Sequence, residues 1–177
     1  MGRAVTRRTA LLVVLACAAA FAAFACRRSG PDWRIVQLYA GQRSAELLAN
    51  PAAVRAFPLD PAQTTKAPGE LRAGPFAAAG EARNVAAADA AELSRIFSDA
   101  ASYDWQRGPK REGFRPSVGL WFVRGSYVLE LAVDVESAQV GVYAGGQTLG
   151  LQSIDPAAPS VAAIAERVLG KQVLPPR

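Results

Sequence analysis

The sequence predicts an α+β domain: a small antiparallel sheet, made of a hairpin over 118–133 and a strand at 139–143, with two amphipathic helices packed on one face. Three observations predict it. Apolar residues alternate over 118–123 and 127–133 around a Gly-Ser pair, the period of strands with one buried face. Near 89–101 and 160–169 the apolar period changes to that of a helix. Strands and helices come in blocks, without the regular alternation of parallel crossovers.

In chain order, residues 1–26 read as a signal or membrane-anchor segment. Arg3, Arg7 and Arg8 stand without an acid before Ala10–Cys26, which holds no charged or polar side chain except its thiols. An apolar helix partitions into a bilayer while its Arg-rich end stays on the cytoplasmic side, so this layout predicts export. Three fates remain open. Ala23-Phe24-Ala25 has the small-x-small form cut by general signal peptidase. Cys26 resembles the lipid-bearing cysteine of bacterial lipoproteins, although Ala23 stands where such motifs usually have Leu. Val14-Leu15-Ala16-Cys17 fits that motif better but leaves a very short apolar run before Cys17, the alternative lipid site. The stretch also nears the ~18–20 residues that span a bilayer uncleaved.

Residues 27–52 read as a connector with weak elements. Trp33–Tyr39 suits a strand or extended anchor, and 44–50 a short helix capped by Ser44 and ended by Pro51. A single α+β domain is expected over 53–172, with a tail at 173–177. Val54–Leu59 is strand-like, with Pro58 pushing it to an edge or terminus. Leu59–Pro75, with Pro61, Pro68, Gly69 and Gly74, reads as a surface loop. Leu93, Ile96, Phe97 and Ala100 make one helix face, with Asp89 and Glu92 near its positive end. Asp104–Arg115 is turn-rich. Gly125-Ser126 suits the centre of a two-residue hairpin turn. On its second strand Tyr127, Leu129, Leu131 and Val133 share a face, with Glu130 and Asp134 on the other. Gln139–Tyr143 follows as a strand ended by Ala144-Gly145-Gly146, a turn. Val161, Ile164, Ala165, Val168 and Leu169 form the last helix stripe, with Ser160 as cap and Gly170 as stop.

Composition removes much chemistry. The chain of 177 residues has no histidine, and Cys17 and Cys26 are its only cysteines. That excludes Ser-His-Asp and Cys-His catalysis, zinc sites of His or Cys type, and an internal disulfide in the folded part. No cofactor is expected. Of the 20 basic residues three lie in the N-terminal segment, leaving 17 against 15 acidic ones in the remainder of the chain. Without a basic stripe, no nucleic-acid partner is expected. Carboxylates remain: Asp134, Glu136 and Ser137 cluster after the second hairpin strand, and Glu112 lies in the preceding loop. Paired carboxylates do acid–base work or bind a hard cation, and a D-V-E-S turn is also what a solvated bend looks like. Tyr103-Asp104-Trp105 reads as a helix-ending cluster whose rings cap the core.

Ser102-Tyr103, Lys110-Arg111, Pro116-Ser117-Val118, the strand through Phe122, Val140–Tyr143 and Asp155-Pro156 before the last helix carry a resemblance. The stretch of about 85–170 resembles a family of small uncharacterised bacterial proteins, many apparently exported, with a Lys-Arg-Cys loop and a Cys-x-x-Cys turn. By this matching Glu112, Asp134 and Ser137 stand in place of the three cysteines, so any thiol chemistry of the relatives is absent here. The resemblance implies no activity. The functional expectation is an exported, envelope-associated binding or accessory module, tethered to the membrane through its N-terminus and with an envelope protein as partner. The alternatives are release into the periplasm or medium, and a carboxylate-dependent hydrolase.

Overall fold

The computed structural model describes residues 30–65, 70–109 and 113–170. Two helices come first, α1 (Trp33–Leu38) and α2 (Gln42–Ala49), followed by the long strand β1 (Ala53–Thr64). Three short strands follow: β2 (Arg72–Ala73), β3 (Phe76–Ala78) and β4 (Arg83–Asn84). Helix α3 (Ala87–Ser98) and a 3-10 turn (Ala100–Ser102) lead to a meander of β5 (Val118–Arg124), β6 (Tyr127–Asp134), β7 (Gln139–Ala144) and β8 (Gln147–Ser153). Helix α4 (Ala158–Leu169) closes the described chain. Among the described residues no helix is long and apolar enough to cross a membrane.

The α+β class holds, but the sheet is not the small three-stranded one expected. It is a curled antiparallel sheet in the order β2-β3-β1-β5-β6-β7-β8, with β4 also paired to β1. The hairpin is as read: Arg124 pairs with Tyr127, and Gly125 takes the positive φ of 60° that its tight turn requires. Gly145 and Gly146, at φ 56° and 79°, turn β7 into β8, a strand whose weak apolar alternation hid it in the sequence. Leu59–Pro75 is likewise not one loop. Leu59–Thr64 continues β1, and β2 and β3 form a hairpin beyond it.

Pro58 sits inside a paired strand, not at an edge. It faces Val118 of β5, while on its other side β1 passes from pairing with β4 at Arg55 and Ala56 to pairing with β3 at Leu59. Its missing N–H falls in that gap, so no ladder bond is lost.

One face of the sheet carries the main core. Val54, Ala56, Val118, Leu120, Phe122, Leu129, Leu131, Val133, Val140 and Val142 point into it. Helices α3 and α4 cover it as expected, through Leu93, Ile96, Phe97, Val161, Ile164 and Ala165. They do not cover it alone: α1 and α2 add Ile35, Leu47 and Leu48, so four helices pack there.

The strand-like reading of Trp33–Tyr39 is overturned. Its β-branched and aromatic residues favour a strand only weakly, and tertiary packing decides. Ile35 and the following Tyr39 lie four residues apart, both fully buried. Gly150 of β8 has no side chain to keep Leu38 away: a Cβ there would lie 2.6 Å from Leu38 Cδ1. The helix ends where Ala40 and Gly41 take positive φ and the Gly41 N–H donates to the Val36 carbonyl at 2.8 Å. Two caps also differ from expectation. Ser44 lies within α2, where its hydroxyl pairs with that of Tyr127 at 2.9 Å, pinning helix to sheet. Ser160 lies inside α4, which starts two residues earlier with Pro159 in its first turn, a position where proline loses no bond. Gly170 ends that helix with φ 91°.

Candidate functional site

The second face of the sheet holds the unusual chemistry. Register sets Arg55, Trp121, Glu130 and Tyr143 side by side across β1, β5, β6 and β7. The next row is Phe57, Gly119, Ala132 and Gly141. Its two glycines leave space that neighbouring rings fill. A Cβ on Gly119 would lie 2.2 Å from Phe57 Cε2, and one on Gly141 would lie 2.7 Å from the Tyr143 hydroxyl.

The β2–β3 hairpin folds back over these rows. The Trp121 indole donates to the Arg72 carbonyl at 2.6 Å, and the Gly74 N–H donates to Glu130 Oε2 at 2.8 Å. Gly74 has φ 59°, and a Cβ on it would come within 2.4 Å of the Tyr143 ring. A small second core seals the arrangement: Phe57, Leu59, Ala73, Ala132 and Tyr143, with Phe76 and Phe114 edge to face at 5.7 Å beside them.

Glu130 is thus a buried carboxyl, 8% exposed, in a chain that otherwise keeps most acids in water. Burial raises its pKa, and the Gly74 N–H and the Arg72 charge only partly oppose that. The Tyr143 hydroxyl is pushed up to about 12, by burial first and the Glu130 charge second. Arg55, in the same row, buries its Nε without a hydrogen-bond partner among the described residues. The row holds a carboxyl that keeps its proton to a higher pH than a solvated carboxyl does. It supplies no nucleophile beside a base.

The residues singled out in the sequence lie elsewhere. Asp134 is 3% exposed and committed to the backbone: Oδ2 accepts from the Arg115 N–H at 2.8 Å, and Oδ1 from the N–H groups of Glu136 and Ser137 at 3.1 and 3.0 Å. It builds the β6–β7 turn and ties the segment before β5 to it. Glu136 is exposed on that turn, and the Ser137 hydroxyl accepts from Gln139 Nε2 at 2.9 Å. Glu112, Cys17 and Cys26 lie outside the described residues. Among the described residues no group of three or more acidic or thiol side chains is placed to hold a metal ion.

No family model matches the chain, and no curated protein and no solved structure shows significant similarity to it. The resemblance drawn from the sequence therefore rests on the residues quoted for it.

Two further features lie away from this row. Tyr103 and Trp105 do cap the main core: the rings lie 5.0 Å apart, the Tyr103 hydroxyl donates to the Phe97 carbonyl at 2.8 Å and accepts from Tyr39 at 2.8 Å, and the indole donates to the Ala100 carbonyl. An open groove of about 520 Å³ runs between the start of β1 and α3, walled by Ala52, Ala87, Ala90, Ala91 and Ser94. It lies beside α2 and α3, and Glu130 is not among the residues that line it. Its one charged wall residue, Arg95, is held by both oxygens of Glu92 at 2.9 and 2.7 Å.

Sequence reasoning placed Glu130 on the solvent side of its strand and so missed the buried carboxyl. The signal that could have found it was the glycine pattern. Gly119 and Gly141 interrupt apolar strands on the face that Glu130 shares, and glycine inside a strand marks a close approach.

Proposed function

We propose that this chain is an exported protein of the cell envelope, tethered at the membrane, whose folded domain acts as a binding or accessory module and not as a catalyst. The observation that carries this reading is the run Ala10–Cys26, seventeen residues without a charge, behind three arginines and without an acid. The tether is either the run itself or an acyl chain on Cys26, with Cys17 as the alternative.

The geometry of the domain supports the accessory role. Both faces of the sheet are covered, one by four helices and the other by the β2–β3 hairpin, which the Gly74–Glu130 and Trp121–Arg72 hydrogen bonds hold in place. A sugar hydrolase would need two carboxyl groups flanking a cleft, about 5–10 Å apart. Asp134 instead spends its two oxygens on three backbone N–H groups.

Intact-mass analysis of the protein purified from its own membranes tests the tether. A mass equal to cleavage before Cys26 plus acyl chains, or a full-length mass in the membrane fraction, is the expected result. An unprocessed chain in the soluble cytoplasmic fraction overturns the reading. Crosslinking in intact cells then tests the accessory role, with a reproducible envelope protein partner expected.

A further inference from the structure

We infer that Trp33 is a membrane-interface anchor that seats α1 on the bilayer surface, an inference that rests on the tethered reading above. Trp33 is 69% exposed and is the one large hydrophobic side chain left exposed among the described residues. It opens α1, while Ile35 and Tyr39 turn inward to the core. The exposed stripe of that helix continues through Gln37 to Ala40, without an acid.

The position in the chain decides what covers it. Six residues, 27–32, separate Cys26 from Trp33. Even fully extended, that spacer holds the indole within about 25 Å of the end of the apolar run. A tether of either kind ends at the outer boundary of the hydrocarbon, so Trp33 stays within reach of the headgroup layer. Tryptophan is the side chain that favours this layer, because its ring is apolar and its N–H still finds a partner there. Charge agrees. Over 27–38 the chain carries Arg27, Arg28 and Arg34 against Asp32 alone, a balance that draws it to anionic headgroups. The Arg34 guanidinium stacks 5.3 Å from the Trp105 ring centre and so stays fixed to the domain beside the anchor.

The partner is therefore the lipid surface. The full chain is reconstituted into vesicles of phosphatidylcholine and phosphatidylglycerol whose acyl chains are brominated near the glycerol end, and tryptophan emission is compared with that in unbrominated vesicles. Bromine quenches only nearby indoles, and the chain has three, Trp33, Trp105 and Trp121. The expected result is quenching of up to about a third of the emission, lost in Trp33→Phe, which keeps the fold because the side chain is exposed. Equal quenching in both proteins, with both floating with the vesicles, overturns the interface anchor and leaves the tether standing. A chain that does not float with the vesicles overturns the tether, and the anchor with it.

Discussion

Gly74 and Glu130 are joined across the second face of the sheet by an N–H to carboxyl hydrogen bond of 2.8 Å, over the ring of Tyr143. The contact requires glycine twice. At φ 59° an L side chain is strained, and a Cβ would overlap the Tyr143 ring at 2.4 Å. Gly74→Ala is therefore expected to destabilise the domain by about 2–4 kcal/mol, from backbone strain plus overpacking. Denaturant unfolding measures it, and an unchanged midpoint would show that the hairpin does not depend on this approach.

Glu130 gives the same contact a pH dependence. Its pKa is raised by burial, against an ordinary value of 4.5, so the native state keeps the proton to a higher pH than the unfolded chain does. Its contribution to stability is then full below 4.5 and is lost as pH rises through the native value. Tyr143, which faces it from β7, is pushed up to about 12 and stays neutral in that window. Glu130→Gln keeps an acceptor for the Gly74 N–H and removes the titration. Melting temperatures of the two proteins, followed upward from pH 4.5, should diverge with the variant gaining on the wild type. Parallel curves would mean that the carboxyl ionises in the fold as freely as outside it.

Phe57 and Gly119 form a second matched pair, directly opposite on β1 and β5. The Phe57 ring lies over Gly119 and meets Trp121 edge to face at 5.5 Å. Gly119→Ala forces the ring out and should cost about 1–3 kcal/mol. Phe57→Leu removes the atoms in the way, so the double variant should be more stable than the sum of the single losses by roughly 1 kcal/mol. Strict additivity in a double-mutant cycle would count against the fit.

The same residues explain which parts of the fold were readable in advance. The β5–β6 hairpin, β7, α3 and α4 follow from local periodicity, because each buries a complete stripe against the main core: Leu93, Ile96 and Phe97 in one helix, Val161, Ile164 and Ala165 in the other. The second face left no such pattern. Its core is built from Phe57, Leu59, Ala73, Ala132 and Tyr143, which come from four strands, β1, β2, β6 and β7, one of them only two residues long. Such contacts are set by sheet curl and by glycines, and not by any period along one segment. Glu130 looked solvated because the strand that covers it, β2, is far away in sequence. Helix α1 was hidden for a related reason: its packing partner, β8, lies more than a hundred residues on.

The buried tyrosine pair yields an asymmetric prediction. Tyr39 and Tyr103 lie 2.8 Å apart at their hydroxyls, and Tyr103 donates its proton to the Phe97 carbonyl at 2.8 Å. Tyr39 is therefore the donor between the two. Burial holds both hydroxyls above the ordinary tyrosine range, so both remain neutral donors. Tyr39→Phe removes one hydrogen bond and leaves Tyr103 with its acceptor, a loss of about 1 kcal/mol. Tyr103→Phe removes the acceptor of Tyr39 and the donor to Phe97 together, stranding two buried polar groups. It should cost more, roughly 2–4 kcal/mol. Replacing both with Phe leaves only the Phe97 carbonyl unpaired and should recover part of the Tyr103→Phe loss. Equilibrium unfolding of the three variants gives the order, and a Tyr39→Phe loss as large as that of Tyr103→Phe would reverse the assigned donor.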